Sequence, residues 1–152
     1  MHKSTLIDDA LEHYPDGSDK LLIDAIRAWF RPHCDAVRGH ATWQDVLCDC
    51  GSTRDGMHCF DMLMREWVST AQRPLDVRCR CCTEFAADEV HLLHAVACFQ
   101  SNDWLAARAL LRQCFSPSCI DRLSDITHWF ALMLGDTGVA VRNRERRVTY
   151  LH

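Results

Sequence analysis

Three sulfurs within four residues, Cys79-Arg80-Cys81-Cys82, form the densest group of chemically capable side chains in this sequence. Cys79 and Cys82 have the C-x-x-C spacing with which one turn presents two thiolates to a tetrahedral ion. Just downstream, the run from Val90 to Cys98 adds His91, His94 and Cys98. With Val90 placed at 0° and an advance of about 100° per residue, His94, Cys98 and His91 fall between about 40° and 100°. Leu92, Leu93, Val96, Ala97 and Phe99 fall between about 180° and 340°. The donors thus share a stripe apart from the apolar face of a helix. His91 and Cys98 are separated by about 10.5 Å of helical rise, too far for one ion with bonds of about 2.0–2.3 Å. The expected metal ligands are therefore Cys79, Cys82, His91 and His94, with Cys81 and Cys98 in reserve, and the expected ion is zinc.

Two other readings of the same residues stay open. The H-x2-H spacing is shorter than the usual H-x3–5-H of zinc fingers, and free cysteines are among the most buried residue types. Cys34, Cys114 and Cys119 in particular read as packing residues. Alternatively, Arg78 and Arg80 flank Cys79 and a helix begins soon after Cys82. Positive charge and a helix N-terminus both favour the thiolate, so the C-x-x-C pair also suits thiol-redox chemistry. The βαβ context that accompanies a thioredoxin-like motif is missing.

A second set of soft donors, Cys48, Cys50, His58 and Cys59 with Met57, Met62 and Met64 nearby, lacks fixed tetrahedral spacing. Met62 and Cys59 also lie on or beside the apolar stripe of a helix, where methionine commonly fills gaps. Neither G-x-x-x-x-G-K nor G-x-G-x-x-G occurs, and no C-x-x-C-H for haem attachment.

The elements that must position these residues are helical by pattern. Residues 4–13 suit a short helix, ended by Tyr14-Pro15-Asp16-Gly17. Ser18 is placed to cap a second, with Leu21, Leu22, Ala25, Ile26 and Trp29 at helical spacing and Pro32 beyond its end. Thr42 and Asp45 form a variant capping box for a helix through Leu47. Asp55 is expected to open the next, with Cys59, Phe60, Leu63, Met64 and Trp67 as its stripe. After Arg73-Pro74, Leu75 to Cys82 reads as an extended or knuckle-like connection. A helix over 87–100 follows, with Asp88 and Glu89 where the macrodipole favours acids. Trp104–Cys114 is separated from it by a break at Asn102 or Asp103. Ser118 is expected to cap the last helix, with Ile120, Leu123, Ile126, Phe130 and Leu134 inward and Gly135 at its stop.

The fold class expected is all-α: a compact single-domain helical bundle of about six or seven helices over residues 1–152, with 139–152 as a basic C-terminal tail. The alternative is α+β, with Leu75–Arg80 and Val139–Val141 or Val148–Leu151 pairing in a small two-stranded sheet. A length of 152 residues, 48% apolar and 25% charged, is that of one ordinary globular domain. The net charge of −4 understates the acidity of the body, because Arg142, Arg144, Arg146 and Arg147 cluster near the C-terminus. An acidic body argues against nucleic acid as a partner. No apolar run approaches the roughly 20 residues of a membrane span, and acids occupy the N-terminal stretch where a signal peptide is greasy. A cytoplasmic location is expected, and in a reducing compartment the ten cysteines are thiols rather than a disulfide framework. The function expected is that of a non-enzymatic protein with a structural or sensing Cys/His zinc site, acting through protein partners or self-association. A thiol-redox or metal-dependent enzyme using Cys79 and Cys82, and a metal-free interaction module, are the alternatives.

Overall fold

The computed structural model describes residues 17–32 and 41–141. Within them lie six α-helices and no strands: α1 (Gly17–Phe30), α2 (Trp43–Asp49), α3 (Arg54–Thr70), α4 (Ala87–Gln100), α5 (Trp104–Cys114) and α6 (Ile120–Asp136), with a 3₁₀ turn at Pro117–Cys119. The all-α expectation is met. The expected helix over 4–13, Cys34, the Val148–Leu151 strand and the arginine cluster lie outside the described residues.

Helix α4 is the axis of the fold. Leu92, Leu93, Ala95, Val96, Ala97, Cys98 and Phe99 are all buried, so this helix has no single apolar face. Its surfaces are taken up by α1, α5 and α6. The donor stripe inferred from the wheel is therefore an inner face too, and Cys98 on it is 1% exposed. Helix α3 packs on α6, where Phe60 meets Phe130 with ring centroids 5.3 Å apart. The expected α3 stripe is buried in full at Cys59, Phe60, Leu63, Met64 and Trp67.

Helix ends follow local chemistry, with some departures from the expected caps. Thr42 and Asp45 do form a reciprocal box at α2. Helix α3, expected to open at Asp55, begins one residue earlier at Arg54, and its cap is Thr53, whose Oγ1 accepts from the Gly56 amide. Ser118 does not cap α6, because Pro117 starts a 3₁₀ turn that carries Ser118 into the helix approach. The stop of α6 is Gly138 at φ 89° rather than Gly135, which remains helical. Between α4 and α5, Asn102 takes φ 61°, a left-handed turn that asparagine tolerates, and the Asp103 amide donates back to Cys98.

Residues 71–86 connect α3 to α4 without regular structure. Leu75–Arg80 forms no strand, so the α+β alternative is not realised among the described residues; only an isolated antiparallel bridge joins Ala71 to Phe115. That bridge matters for position. The Gln72 amide donates to Cys114 O and the Ser116 amide to Thr70 O, clamping the end of α3 beside the end of α5. At the other end, Val139 and Val141 of the expected tail are buried. Gln100 holds them by donating to Val139 O and accepting from the Val141 amide.

Candidate metal centre

Buried backbone groups of an irregular segment must find partners, and in residues 71–86 many of those partners are side chains. The consecutive acids of the first turn of α4 divide the work. Glu89 accepts four hydrogen bonds: from Arg27 Nε and Nη2 at 2.7 and 2.9 Å, and from the Arg78 and Ala86 amides at 3.2 and 2.9 Å. A carboxylate offers about four lone-pair sites, so Glu89 is saturated. Arg27 spends its other donors on the carbonyls of Cys79, Cys82 and Glu84. Arg31 holds Val77 O, and Arg80 pairs with Asp24.

Asp88 is served differently. Its Oδ2 accepts from Arg73 Nη1 at 2.9 Å and from the Asp76 amide at 2.7 Å. Its Oδ1 accepts from Arg73 Nη2 at 2.8 Å, and its remaining neighbour there is the Cys114 thiol at 3.8 Å. That last contact is long even for sulfur, so one lone pair of Oδ1 is weakly used. The Ala71–Phe115 bridge brings Arg73 and Cys114 to this point, and helical spacing brings His91, one turn beyond Asp88.

Asp88, His91 and Cys114 each offer a donor atom within 4.8 Å of the other two. Asp88 and Cys114 are buried and His91 is half-buried. His91 Nδ1 is a buried atom with no hydrogen-bond partner among the described residues. Buried polar atoms are nearly always paired, so this one marks a place where a ligand would satisfy the ring. A tetrahedral ion with a sulfur at about 2.3 Å and an oxygen at about 2.0 Å holds them about 3.5 Å apart. The observed 3.8 Å between Cys114 Sγ and Asp88 Oδ1 needs little adjustment to meet that.

The electrostatics suit a thiol that waits for a cation. Burial, and then the Asp88 carboxylate beside it, push the Cys114 thiol above its ordinary range. Burial alone would raise Asp88 as well, but the Arg73 hydrogen bonds, the Asp76 amide and the Arg73 charge outweigh it and hold the carboxyl below the usual range. Asp88 is thus an anion and Cys114 a protonated donor, which a bound cation would deprotonate. One thiolate, one imidazole and one carboxylate form a borderline-soft set that suits zinc, with a fourth position left for water or another ligand.

This group takes one of the four expected ligands, His91. The other three are not part of it. The Cys79 and Cys82 carbonyls face Arg27, and Cys82 Sγ donates to Glu84 O at 3.4 Å. His94 is half-buried one turn further along α4, and of the reserves Cys98 is in the core while Cys81 Sγ lies 3.1 Å from Cys79 Sγ. By sequence alone Asp88 is a macrodipole acid and Cys114 a packing residue. The Asp-x-x-His spacing on one helix face was a usable signal for the first; nothing local pointed to Cys114. The second soft-donor set does not assemble into a comparable group. Cys59 is a core residue whose thiol burial pushes up to about 11, Met64 is fully buried, and Cys50 Sγ donates to Leu47 O.

Among the described residues no helix is long and apolar enough to cross a membrane. Comparison with protein families, curated proteins and solved structures finds no match to this chain.

Proposed function

We propose that this chain is a non-enzymatic, metal-responsive helical protein whose zinc ligands are Asp88, His91 and Cys114, and that it acts through protein contacts. The observation that carries this reading is the approach of one donor atom each from Asp88, His91 and Cys114 to within 4.8 Å of one another, on a histidine whose buried Nδ1 has no partner among the described residues. Such a site is structural and sensing at once. Zinc would tie α4 to the end of α5, and through Arg73 and the Asp76 amide the same carboxylate holds residues 71–86. Occupancy would thereby stiffen the segment that carries the cysteine turn. Trp129 and Leu132, 51% and 46% exposed and one turn apart on α6, favour action through a protein surface.

Elemental analysis of full-length protein purified without chelator tests the proposal. About one zinc per chain is expected, with His91→Ala and Cys114→Ala folded by circular dichroism but metal-poor. Cys79→Ser and Cys82→Ser should keep the metal. Folded wild-type protein that holds no more zinc than Cys114→Ala after equilibration with the ion would end the proposal. Zinc lost with Cys79→Ser but retained by Cys114→Ala would move the site to the sulfur turn.

A further inference from the structure

The sulfur turn has its own geometry, and it does not use the C-x-x-C pair. The Cys82 amide donates to Cys79 O at 3.0 Å, closing a tight turn over Cys79-Arg80-Cys81-Cys82. Cys79 Sγ and Cys81 Sγ lie 3.1 Å apart, while Cys82 Sγ turns away to Glu84 O. Two thiolates on one zinc ion sit about 3.8 Å apart, and a covalent bridge about 2.05 Å. The pair is closer than a shared zinc ion wants.

We propose that Cys79 and Cys81 form a thiol–disulfide exchange site for small organic disulfides, with Cys81 the entry thiol and Cys79 the resolving one. Cys81 is exposed and Cys79 half-buried, which sets that order. Cys81 opens on a groove of 840 Å³ whose lining includes Lys20, Leu21, Asp24, Arg80 and Phe85. That volume suits a small molecule. The turn beneath is held rigid, since Arg27 Nη1 donates to both Cys79 O and Cys82 O.

The Cys81 thiolate attacks one sulfur of R–S–S–R. The S–S bond breaks, R–S⁻ leaves and takes up the proton that Cys81 released, and Cys81 carries S–S–R. The Cys79 thiolate then attacks Cys81 Sγ, and the second R–S⁻ leaves with the proton from Cys79. The two protein thiols are oxidised to one disulfide, and the small disulfide is reduced to two thiols.

The test uses full-length reduced protein in chelator, so that metal has no part in it. The protein is equilibrated with graded ratios of oxidised to reduced glutathione, quenched with acid, alkylated and cleaved after glutamate. The peptide spanning residues 67–84 contains Cys79, Cys81 and Cys82 and no other cysteine. As the buffer becomes oxidising, alkylation should fall from all three cysteines to Cys82 alone, with a loss of two hydrogens. Cys82→Ser should retain the bridge, and Cys79→Ser should instead hold a glutathione adduct on Cys81. Alkylation of all three at every ratio, a bridge that requires Cys82, or a wild-type adduct on Cys81 that never resolves would each overturn the proposal.

Discussion

Arg27 and Glu89 saturate each other's neighbourhood: every guanidinium N–H has an acceptor and every carboxylate lone pair has a donor. The pair is buried, with side-chain exposures of 4% and 0%. Burying two charges is expensive, and the pair is tolerable only because no hydrogen-bonding site is left over. Removing one partner breaks that balance. Arg27→Met should cost about 3–5 kcal/mol, read from denaturant midpoints. Arg27→Lys should fail to restore it, since a point charge cannot reach five acceptors. The double variant Arg27→Met/Glu89→Met should be more stable than Arg27→Met alone.

Arg73 orients the proposed zinc ligand Asp88 without itself offering a metal donor. Arg73→Gln should lower zinc affinity by about 10–100-fold, the usual effect of losing a partner that aligns a ligand. Competition with a chromophoric chelator measures it. An unchanged affinity would show that Asp88 needs no such alignment.

Zinc should raise the unfolding free energy of wild-type protein by about 2.7 kcal/mol at a free concentration one hundred times its Kd. Chelator should abolish the gain, and Cys114→Ala should show none at any zinc concentration. Thermal melts with and without zinc decide this.

Cys59 is a small apolar core residue with its thiol pushed by burial to about 11. At pH 8, iodoacetamide should label exposed Cys48 and Cys81 within minutes and leave Cys59 unlabelled until denaturant is added. The raised value also has a thermodynamic sign. The folded state retains the proton that the unfolded state loses near 9, so this stabilisation is complete below that pH and is lost as pH climbs toward 11.

Asp61 accepts from Trp29 Nε1 and from Arg65 Nε, each at 2.9 Å. Partial burial opposes its charge, yet these two hydrogen bonds and the Arg65 charge prevail and hold the carboxyl below its ordinary 3.8. The depressed value means stabilisation present above 3.8 and lost as pH falls through the folded-state value. Asp61→Asn should therefore be less stable than wild type at pH 7, and the gap should narrow below pH 3.8. Equal stability at neutral pH would remove Asp61 from the α1–α3 joint.

Much of the fold was legible in the sequence because helical periodicity is a local signal. The bounds of α4 at Ala87 and Gln100, the Thr42–Asp45 box and the α3 stripe all follow from residues within a few turns of one another. The errors are local as well: Ser118 had the right chemistry for a cap, but Pro117 imposed a 3₁₀ entry. The candidate metal group was legible only in part. Asp88 and His91 share a face by spacing alone, whereas Cys114 arrives through the pairing of α4 with α5 and the Ala71–Phe115 bridge. Wheel angles correctly separated His91 from the apolar arc, but they could not tell that the opposite face was also covered.

The grip of Arg27 on the sulfur turn has a consequence for how freely that turn can vary. Its acceptors there are peptide oxygens at positions 79, 82 and 84, and a peptide oxygen is the same whatever side chain its residue bears. Replacing, alkylating or cross-linking the sulfurs therefore leaves the anchor in place. The loop can change its chemistry while keeping its address.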